Sequence, residues 1–452
     1  MTVGLVFLRR SLIPIATVFA FALSFATSAS ATTAIERVVS PSGIEVWLVR
    51  EPAVPLVALD FSFRGGANQD PADKPGVATM ISTLLDEGAG DLEAKTYHER
   101  LENKAIELGF QADRDYFSGS VRTLVENIDE AAELVRLALT SPRFDSEAVE
   151  RMRGQLLSNL RHQAENPSQI ASREWWATAF AGHPYGRPVN GTIESMSAIN
   201  PDDLRAYTRR VFARDMLKVA IVGNIDAAKA SEIVEKVFAS LPAKSDLLPV
   251  ASAEPQGLGR VITVNLDVPQ SVVVIGGAGI PRNDPDFMAA FILNHILGGG
   301  AFSSRLYHEV REERGLAYSV YSTLVPLSHA ALFMGSTATR ADRATQTLDV
   351  VEREIHRLAE TGPTADELAK AKTFLEGSFA LRFDTSTKIA SQLVAMQLDD
   401  LGIDYIERRN SLVEAVTLAD VKRVAKRLLD GGLLVTVVGR TPQGIASKND
   451  GG

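Results

Sequence analysis

The chain has 452 residues, of which 45% are hydrophobic and 23% are charged. This length exceeds what a single hydrophobic core supports, so we expect an ordered protein with more than one domain. The chain has no cysteine and a formal net charge of −9. These values exclude disulfides, thiolate metal sites and cysteine nucleophiles, and they argue against nucleic acid as a partner.

The first 31 residues have the three parts of a secretory signal peptide. Arg9 and Arg10 supply the positive charge, residues 12–25 form a short apolar run, and residues 29–31 read Ala-Ser-Ala, which is typical of a cleavage site. A membrane anchor is the alternative, but the run is shorter than the ~20 residues that cross a bilayer. We therefore predict export to the periplasm as a mature chain with no stable membrane span, in which a large core makes disulfides unnecessary.

Short β-rich runs such as residues 57–63 alternate with longer helical patterns, and Ser146 and Pro201 carry the signals of helix starts. Three pairs of segments then recur in the same order and at similar offsets: 82–88 with 294–300, 147–153 with 366–372, and 204–223 with 421–439. A recurrence of this kind predicts an internal duplication.

The predicted halves are residues 36–244 and 260–440. Residues 245–259 between them contain proline, serine and glycine without periodicity, which is typical of a linker, and residues 441–452 lack apolar content, which predicts a flexible tail. The predicted fold class is α+β. We expect two homologous halves, each built of sheet and helix layers with mixed or antiparallel sheets, joined by the linker into a clam-like chain.

The histidines are spaced too widely for a zinc site on one helix. Histidines at i and i+4 share a helix face, whereas the closest two here, His295 and His308, are 13 residues apart. A site assembled from distant histidines stays formally open. The chain also lacks a G-x-S-x-G elbow, a phosphate-binding loop and a G-x-G-x-x-G fingerprint, and the glycine-rich residues 276–279 are interpreted as a strand end.

Three segments carry a family resemblance. They are LGGGAFSSRL continuing through VREERGLAYS at 297–319, HPYGRPVNG at 183–191, and RGGAN at 64–68 followed by KPGVA at 74–78. Together they resemble the pitrilysin and mitochondrial-processing-peptidase family of zinc metallopeptidases, the inverzincins. The resemblance spans nearly the whole mature chain, and it implies the duplicated architecture of that family.

Active members of that family place the inverted motif H-x-x-E-H on one helix, where it supplies two zinc ligands and a general base. The matching positions here are Thr79, Ser82 and Thr83, and the third ligand falls in register on Asn159. A threonine hydroxyl is a poor zinc ligand at neutral pH, and serine cannot accept a proton as a carboxylate does. No histidine precedes His98, so a shifted alignment does not restore the site. We therefore predict no metal, no cofactor and no catalytic residue that acts in this chain alone.

In that family the side without zinc contributes an arginine and a tyrosine, and Arg311 and Tyr318 match this pair. The resemblance implies that they bind substrate in trans, holding a carbonyl and supporting the oxyanion that forms at the partner's zinc. From composition alone, an ion pair for Arg311 and ordinary strand packing for Tyr318 is the competing interpretation. Gly298, Gly299 and Gly300 form either a substrate-contacting loop or a turn that ends a helix.

Two further features are interpreted as structural. His183 precedes a proline in a turn-rich segment and has no partner at ligand spacing, and His295 takes the position equivalent to Thr83 in the second half without a partner ligand. We expect both histidines to serve packing or capping. The Trp175-Trp176 pair is expected to anchor a long helical region.

The leading hypothesis is a catalytically inactive, substrate-positioning subunit of a periplasmic zinc metallopeptidase heterodimer that cleaves peptides. The expected partner is a related subunit that carries the zinc, and the expected substrate is a peptide. The alternative is a non-enzymatic peptide-binding or envelope scaffold protein that acts as a homodimer. A third possibility, an active peptidase with unusual ligands, requires that the purified chain retain stoichiometric zinc.

Overall fold

The computed structural model describes residues 34–440. The predicted signal peptide (residues 1–31) and the predicted tail (residues 441–452) lie outside the described residues, so both stay predictions. Within the described range, no helix combines the length and hydrophobicity that a bilayer span requires.

Several strands are rich in β-branched or aromatic residues and are buried on both faces. In chain order the strands are β1 (Ile35–Val39), β2 (Glu45–Arg50), β3 (Leu56–Arg64), β4 (Gly88–Ala89), β5 (Leu92–Glu93), β6 (Glu107–Ala112), β7 (Tyr116–Leu124), β8 (Leu217–Gly223), β9 (Val261–Asn265), β10 (Gln270–Ala278), β11 (Ala317–Pro326), β12 (Ala331–Arg340) and β13 (Leu434–Gly439). The β10 strand ends within the glycine-rich segment 276–279, as predicted.

Several helices begin at the capping residues that the sequence indicates. At α7, for example, the Asn200 side chain accepts hydrogen bonds from the amides of Asp202 and Asp203. In chain order the helices are α1 (Val77–Ser82), α2 (Ala94–Asn103), α3 (Ile128–Thr140), α4 (Ser146–Glu165), α5 (Pro167–Ala179), α6 (Ile193–Ala198), α7 (Pro201–Val211), α8 (Ala227–Phe238), α9 (Phe287–Asn294), α10 (Arg305–Tyr307), α11 (Ala344–Thr361), α12 (Ala365–Phe379), α13 (Ser386–Leu398), α14 (Tyr405–Ala415) and α15 (Leu418–Leu429). The predicted starts at Ser146 and Pro201 are confirmed.

The two large sheets have the same topology. The first runs β1-β2-β8-β3-β7-β6 and the second runs β9-β13-β10-β12-β11, with β4 and β5 forming a small separate hairpin. In each large sheet one pair is parallel, β2 with β8 and β9 with β13, and the other neighbours are antiparallel. Apart from the extra strand β1, the order and directions match strand for strand. The predicted α+β class with two related halves is confirmed.

Each sheet packs one face against helices from its own half. In the first half, side chains of α1, α3, α7 and α8 form one core cluster with the sheet, and in the second half those of α9, α11, α12 and α15 do the same. These faces hold most of the buried apolar side chains, so they supply most of the hydrophobic stabilisation.

The opposite face of each sheet is covered by a helix from the other half. Helix α5 packs on β10 and β13 of the second sheet, and α13 packs on β3 and β8 of the first. Trp175 of α5 is fully buried, and its indole N–H donates to the Leu434 carbonyl at 3.0 Å. Gly276 of β10 makes room for this ring, because a Cβ there would lie 2.4 Å from it. The tryptophan pair thus anchors its helix on the sheet of the other half.

The segment 245–259 contains no helix or strand, but hydrogen bonds hold it against both halves. The Leu248 amide donates to the Gln69 side chain at 2.7 Å. The Ala253 amide donates to the His329 carbonyl and the Gln256 amide to the Ala179 carbonyl, both at 2.8 Å. The segment therefore connects the halves as an ordered strap.

A buried carboxylate joins the halves at a second place. Asp115, which is 1% exposed, accepts hydrogen bonds from the Tyr185 hydroxyl at 2.5 Å, the Asn68 amide group at 3.0 Å and the Ser328 backbone amide at 2.9 Å. The Tyr185 hydroxyl in turn accepts from the His329 amide at 3.0 Å. The loop 327–330 is thereby tied to the first half through groups that are satisfied only when both halves are in place.

The interface between α13 and the first sheet contains a second acidic group. Asp60 of β3 lies opposite Ser120 and lines a cavity of about 380 Å³ together with Ser391 of α13. Burial raises the pKa of Asp60 to about 7. The carboxyl group is therefore largely neutral in the folded protein at pH 5.5 and largely ionised at pH 8.

We expect Asp60 to make the folded state less stable as pH rises. The pKa of Asp60 in the folded state lies above its unfolded value of ~3.9. The contribution of Asp60 to the free energy of unfolding is therefore present at low pH and is lost as pH rises through 7. Between pH 5.5 and 8 this loss is about 2 kcal/mol. Urea unfolding at both pH values measures this, and Asp60→Asn should remove that part of the pH dependence. Asp73→Asn, a change at an exposed residue, is the control, and an unchanged pH dependence in Asp60→Asn would contradict the prediction.

Candidate functional site

Helix α1 carries the positions where the family's zinc motif is expected. It starts directly after Gly76, whose φ of +101° requires glycine. The buried Asp70 carboxylate accepts from the amides of Gly76 at 2.7 Å and Ala78 at 2.9 Å, and so holds the start of the helix. Burial nevertheless raises the pKa of Asp70 to about 7, because desolvation outweighs these bonds.

The three hydroxyls at the motif positions bind backbone carbonyls. Thr79 donates to Val189 at 2.8 Å, Ser82 donates to Thr79 at 2.8 Å, and Thr83 donates to Met80 at 2.9 Å. The fourth position, Asn159, is exposed on α4, a helix that α1 contacts. The structure therefore places these positions on, or directly after, two helices that contact each other.

The residues present do not fit a zinc ion. The three hydroxyl groups are neutral at ordinary pH and already serve as donors to carbonyls, and the fourth group is a carboxamide; none supplies the imidazole or carboxylate that zinc prefers. Among residues 34–440, no group of three or more His, Asp and Glu side chains is placed to hold a metal ion. Helix α1 therefore offers neither metal ligands nor a general base.

A cavity of about 470 Å³ lies beside this helix, between α4, α5 and the loop 186–194. Val189, whose carbonyl binds Thr79, lines it. On its wall the Arg114 guanidinium stacks on the Trp176 ring, with Cζ 3.5 Å from the ring centroid. Burial lowers the pKa of Arg114 to about 10, so the group is still a cation at neutral pH. Sequence reasoning missed this stack, since its two members are far apart in the chain.

Arg311 and Tyr318 come together in the second half. Arg311 lies in a π-helical turn, His308–Glu312, and Tyr318 follows Gly315, whose φ of +57° allows the chain to turn into β11. The Arg311 Cζ lies 4.5 Å from the Tyr318 ring centroid. Arg311 and Tyr318, the two residues that match the family's pair, are thus in direct contact.

The Arg311 guanidinium is held by aromatic rings and not by a carboxylate. Its Cζ lies 4.9 Å from the Tyr307 ring centroid, and it donates a short hydrogen bond to the Tyr307 hydroxyl. None of the ion pairs within residues 34–440 involves Arg311. The competing interpretation, an ion pair with a neighbouring acid, therefore does not describe this arginine.

Tyr318 is displaced from the regular ladder of β11. The register between β11 and β12 shifts between Ala317 and Val320, so Tyr318 and Ser319 together face Ala338. Such a bulge redirects a side chain, and Tyr318 is 80% exposed. Phe302, which is 74% exposed, packs edge-on against Tyr307 with ring centroids 5.0 Å apart. The result is a cluster of a half-buried cation, a buried ring and two exposed rings, which we call the Arg311 cluster (Phe302, Tyr307, Arg311 and Tyr318).

The three glycines of 298–300 lie in and after a π-helical turn that follows α9. Gly298 is buried, and a Cβ there would lie 2.5 Å from the Ser322 hydroxyl, so close packing against β11 requires glycine. The Gly300 amide donates to the His295 carbonyl at 2.8 Å, which closes the turn. These contacts favour the helix-ending turn, and contact with substrate stays a prediction.

His183 and His295 are both engaged by neighbours. The His183 Nδ1 accepts from the Tyr185 amide at 3.1 Å, so its Nε2 carries the proton and donates to the Ala251 carbonyl at 2.9 Å. His295 is buried and stacks on the Phe374 ring, with centroids 5.0 Å apart. Burial lowers the pKa of His295 and keeps it neutral. Both arrangements are those of packing residues.

Two family models match consecutive parts of the chain. Residues 45–193 match the model described as insulinase (peptidase family M16), and residues 198–375 match the model described as the peptidase M16 inactive domain. The chain belongs to peptidase family M16. This confirms the resemblance to the pitrilysin and mitochondrial-processing-peptidase group, and the second M16 half is the one that carries the Arg311 cluster.

Similar M16 chains extend over most of this sequence. An uncharacterized zinc protease of Streptomyces coelicolor is 27% identical over 423 residues, covering 92% of this chain and 91% of its own. The non-peptidase homolog YmxG of Helicobacter pylori is 29% identical over 336 residues, covering 74% and 77%. Relatives therefore include proteins named as proteases and one named as a non-peptidase.

Solved structures agree with this assignment. The crystal structure of a peptidase M16 inactive domain from Pseudomonas fluorescens matches with a TM-score of 0.84 and 29% identity, covering 90% of this chain and 98% of that one. A protease from Helicobacter pylori matches with a TM-score of 0.81 at 18% identity, covering 90% and 99%, and this second likeness concerns the fold alone. The M16 fold thus accounts for both halves of the chain.

Proposed function

We propose that this M16 chain is a catalytically inactive, substrate-positioning subunit of a periplasmic zinc metallopeptidase heterodimer that cleaves peptides. The observation that carries the proposal is the Arg311 cluster. It presents a charged guanidinium without a carboxylate partner next to an exposed phenol. Both groups are donors suited to a peptide carbonyl or a developing oxyanion.

The residues on helix α1 support the same proposal, in which this chain holds the peptide and the partner supplies the metal. Its hydroxyls are occupied by backbone carbonyls and do not fit zinc. Hydrolysis therefore needs a metal and a base from elsewhere, and a related M16 chain with an intact H-x-x-E-H is the source that the family architecture provides. This chain would close the substrate chamber and hold the peptide, while the partner would supply the metal, the water and the base.

The proposal also includes export. The signal-like first 31 residues would direct the mature chain to the periplasm. Fractionation of cells that express the tagged full-length chain tests this part, and retention of the uncleaved chain in the cytoplasm would contradict it.

The function is tested by mixing purified subunits. We expect the mature chain alone to retain no stoichiometric zinc and to cleave no peptide, and we expect the equimolar mixture with a zinc-bearing M16 chain from the same organism to cleave. Peptide turnover and metal content are measured on each subunit and on the mixture. Zinc and cleavage in the lone chain would overturn our interpretation of Thr79, Ser82, Thr83 and Asn159. Peptide binding without turnover in every mixture would support the homodimeric scaffold.

A further inference from the structure

A second cavity lies in the second half, and its lining residues are distant in sequence from helix α1. It has a volume of about 320 Å³ and is enclosed by α9, β11, the end of α12, α13 and α14. This is within the size range of sites for small organic ligands, about 300–1,000 Å³. The residues that line it have no role in the proposed peptidase function.

Aromatic rings form part of the wall of this cavity. Phe287, Phe291, Phe379 and Tyr405 contribute rings from three helices. Phe379 is braced edge-on by Phe383, with ring centroids 5.1 Å apart. Such walls favour an apolar body in the ligand, because burial of apolar surface is the main source of affinity there.

A buried guanidinium lies in the same wall. Arg409 of α14 is only 4% exposed. It donates to the Leu375 carbonyl at 2.7 Å and to the Asn410 side chain at 3.0 Å, and its Cζ lies 4.6 Å from the Phe379 ring centroid. These partners are neutral, and none of the ion pairs within residues 34–440 includes Arg409. A charge buried to this degree is ordinarily paired.

The cavity has an excess of positive charge. Arg282 is already paired with Asp399, with 3.3 Å between N and O, and it donates to the Tyr405 hydroxyl at 2.9 Å. Arg382 also lines the cavity. Burial and the charge of Arg382 lower the pKa of Arg409, and these effects outweigh those of Tyr405 and Glu376, which act to raise it. Arg382 and Arg409 thus line one cavity whose lining acid, Asp399, is already paired with Arg282.

We propose that this cavity binds a small apolar carboxylate, whose aromatic or aliphatic body fills the ring-lined space and whose carboxylate pairs with Arg409 and Arg382. A guanidinium matches a carboxylate in geometry as well as charge. The ligand would relieve the repulsion between the two arginines. The same chemistry occurs in a free apolar acid and in a peptide that ends in an apolar residue. The site is independent of the proposed subunit role.

The position of the cavity gives such a ligand a structural consequence. Residues 379–383 line it just before the chain leaves the second half, and α13, which lines it through Met396, packs on the first sheet. An occupant would therefore contact the segment that leads from the second half into α13. We expect a bound acid to raise the thermal midpoint of the whole described unit.

Calorimetric titration of the mature chain with 3-phenylpropionate tests the proposal. We expect saturable binding at one site, and binding at least tenfold weaker for the uncharged analogue 3-phenylpropanamide. Arg409→Gln should weaken binding of the acid by about tenfold or more, and Arg382→Gln by about threefold. Arg382 is exposed, so its variant reports on binding even where Arg409→Gln fails to fold. Arg161→Gln, an exposed change on α4, should leave binding unchanged.

A further titration separates the two sources of the ligand. Binding of N-acetyl-glycyl-phenylalanine as tightly as the free acid would assign the site to peptide carboxyl termini, and selective binding of 3-phenylpropionate would assign it to free acids. Equal affinity for the acid and the amide would overturn the proposal. So would the lack of saturable binding up to about 10 mM, or an affinity unchanged in Arg382→Gln.

Discussion

Arg311→Ala is expected to lower kcat/KM of the reconstituted heterodimer by about 10²–10³, the range that follows removal of one oxyanion donor. Tyr318→Phe removes only the hydroxyl, and we expect a loss of about 10-fold or more. The reason is that the guanidinium and the phenol form a preassembled pair with an exposed ring. Peptide cleavage by the mixed subunits, with kcat and KM determined separately, checks both variants.

The matched control is Arg314→Ala. Arg314 lies two residues after the turn that holds Arg311 but is paired with Glu309 at 2.6 Å, so its loss should leave kcat/KM within about twofold. Subunit association is measured for every variant by analytical ultracentrifugation. If Arg311→Ala abolished assembly, or if all three variants lost activity equally, the positioning role of this cluster would be wrong.

Trp175→Ala is expected to destabilise the protein by about 3–5 kcal/mol. The ring is fully buried against the second sheet, where Gly276 provides the space, and the indole N–H binds the Leu434 carbonyl at 3.0 Å. Alanine leaves a cavity and removes the hydrogen bond to the Leu434 carbonyl. The change in unfolding free energy is read from urea denaturation followed by circular dichroism.

Two companion variants separate the contributions to this loss. Trp175→Phe keeps most of the ring volume but loses the hydrogen bond, so we expect a smaller loss of about 1–3 kcal/mol. Gln169→Ala changes an exposed residue of the same helix and should stay within about 0.5 kcal/mol of the parent. An unfolding curve of Trp175→Ala that coincides with that of the parent would show that α5 is not held by this contact.

Local signals predicted much of the secondary structure. The β-branched run ending at Gly223 became β8, the similar run ending at Gly439 became β13, and Ser146 opens α4. These features depend on propensity, capping and alternation over a few residues, which a sequence displays directly. The repeated order of elements also indicated the duplication that the two sheets display.

The exchange of helices between the halves was not predicted. An amphipathic pattern in α5 or α13 shows that one face is buried, but it does not say which sheet receives that face. One signal was present in the sequence. Gly276 interrupts a valine-rich strand, and a missing side chain there provides space for a large ring such as Trp175.

The candidate site was predictable in its chemistry but not in its contacts. The loss of zinc ligands at Thr79 and Thr83 follows from residue type once the family resemblance places the zinc motif at these positions. By contrast, the Tyr307 ring that holds Arg311 and the bulge that exposes Tyr318 depend on backbone geometry. Arg409 and the rings of its cavity come from separate helices, so no local sequence pattern predicts that they lie together. The assignment of 245–259 as the linker between the two halves stays a prediction.

The crossing of α13 onto the first sheet also constrains how the protein is made. All strands of that sheet have been synthesised once Gly223 leaves the ribosome, but the helix that covers one face begins only at Ser386. At about 5–20 residues per second, that face stays uncovered for on the order of ten seconds or more during translation. The apolar side chains of Trp47, Val49 and Val222 are then open to water. This face of the first sheet is covered only after residues 386–398 have been synthesised.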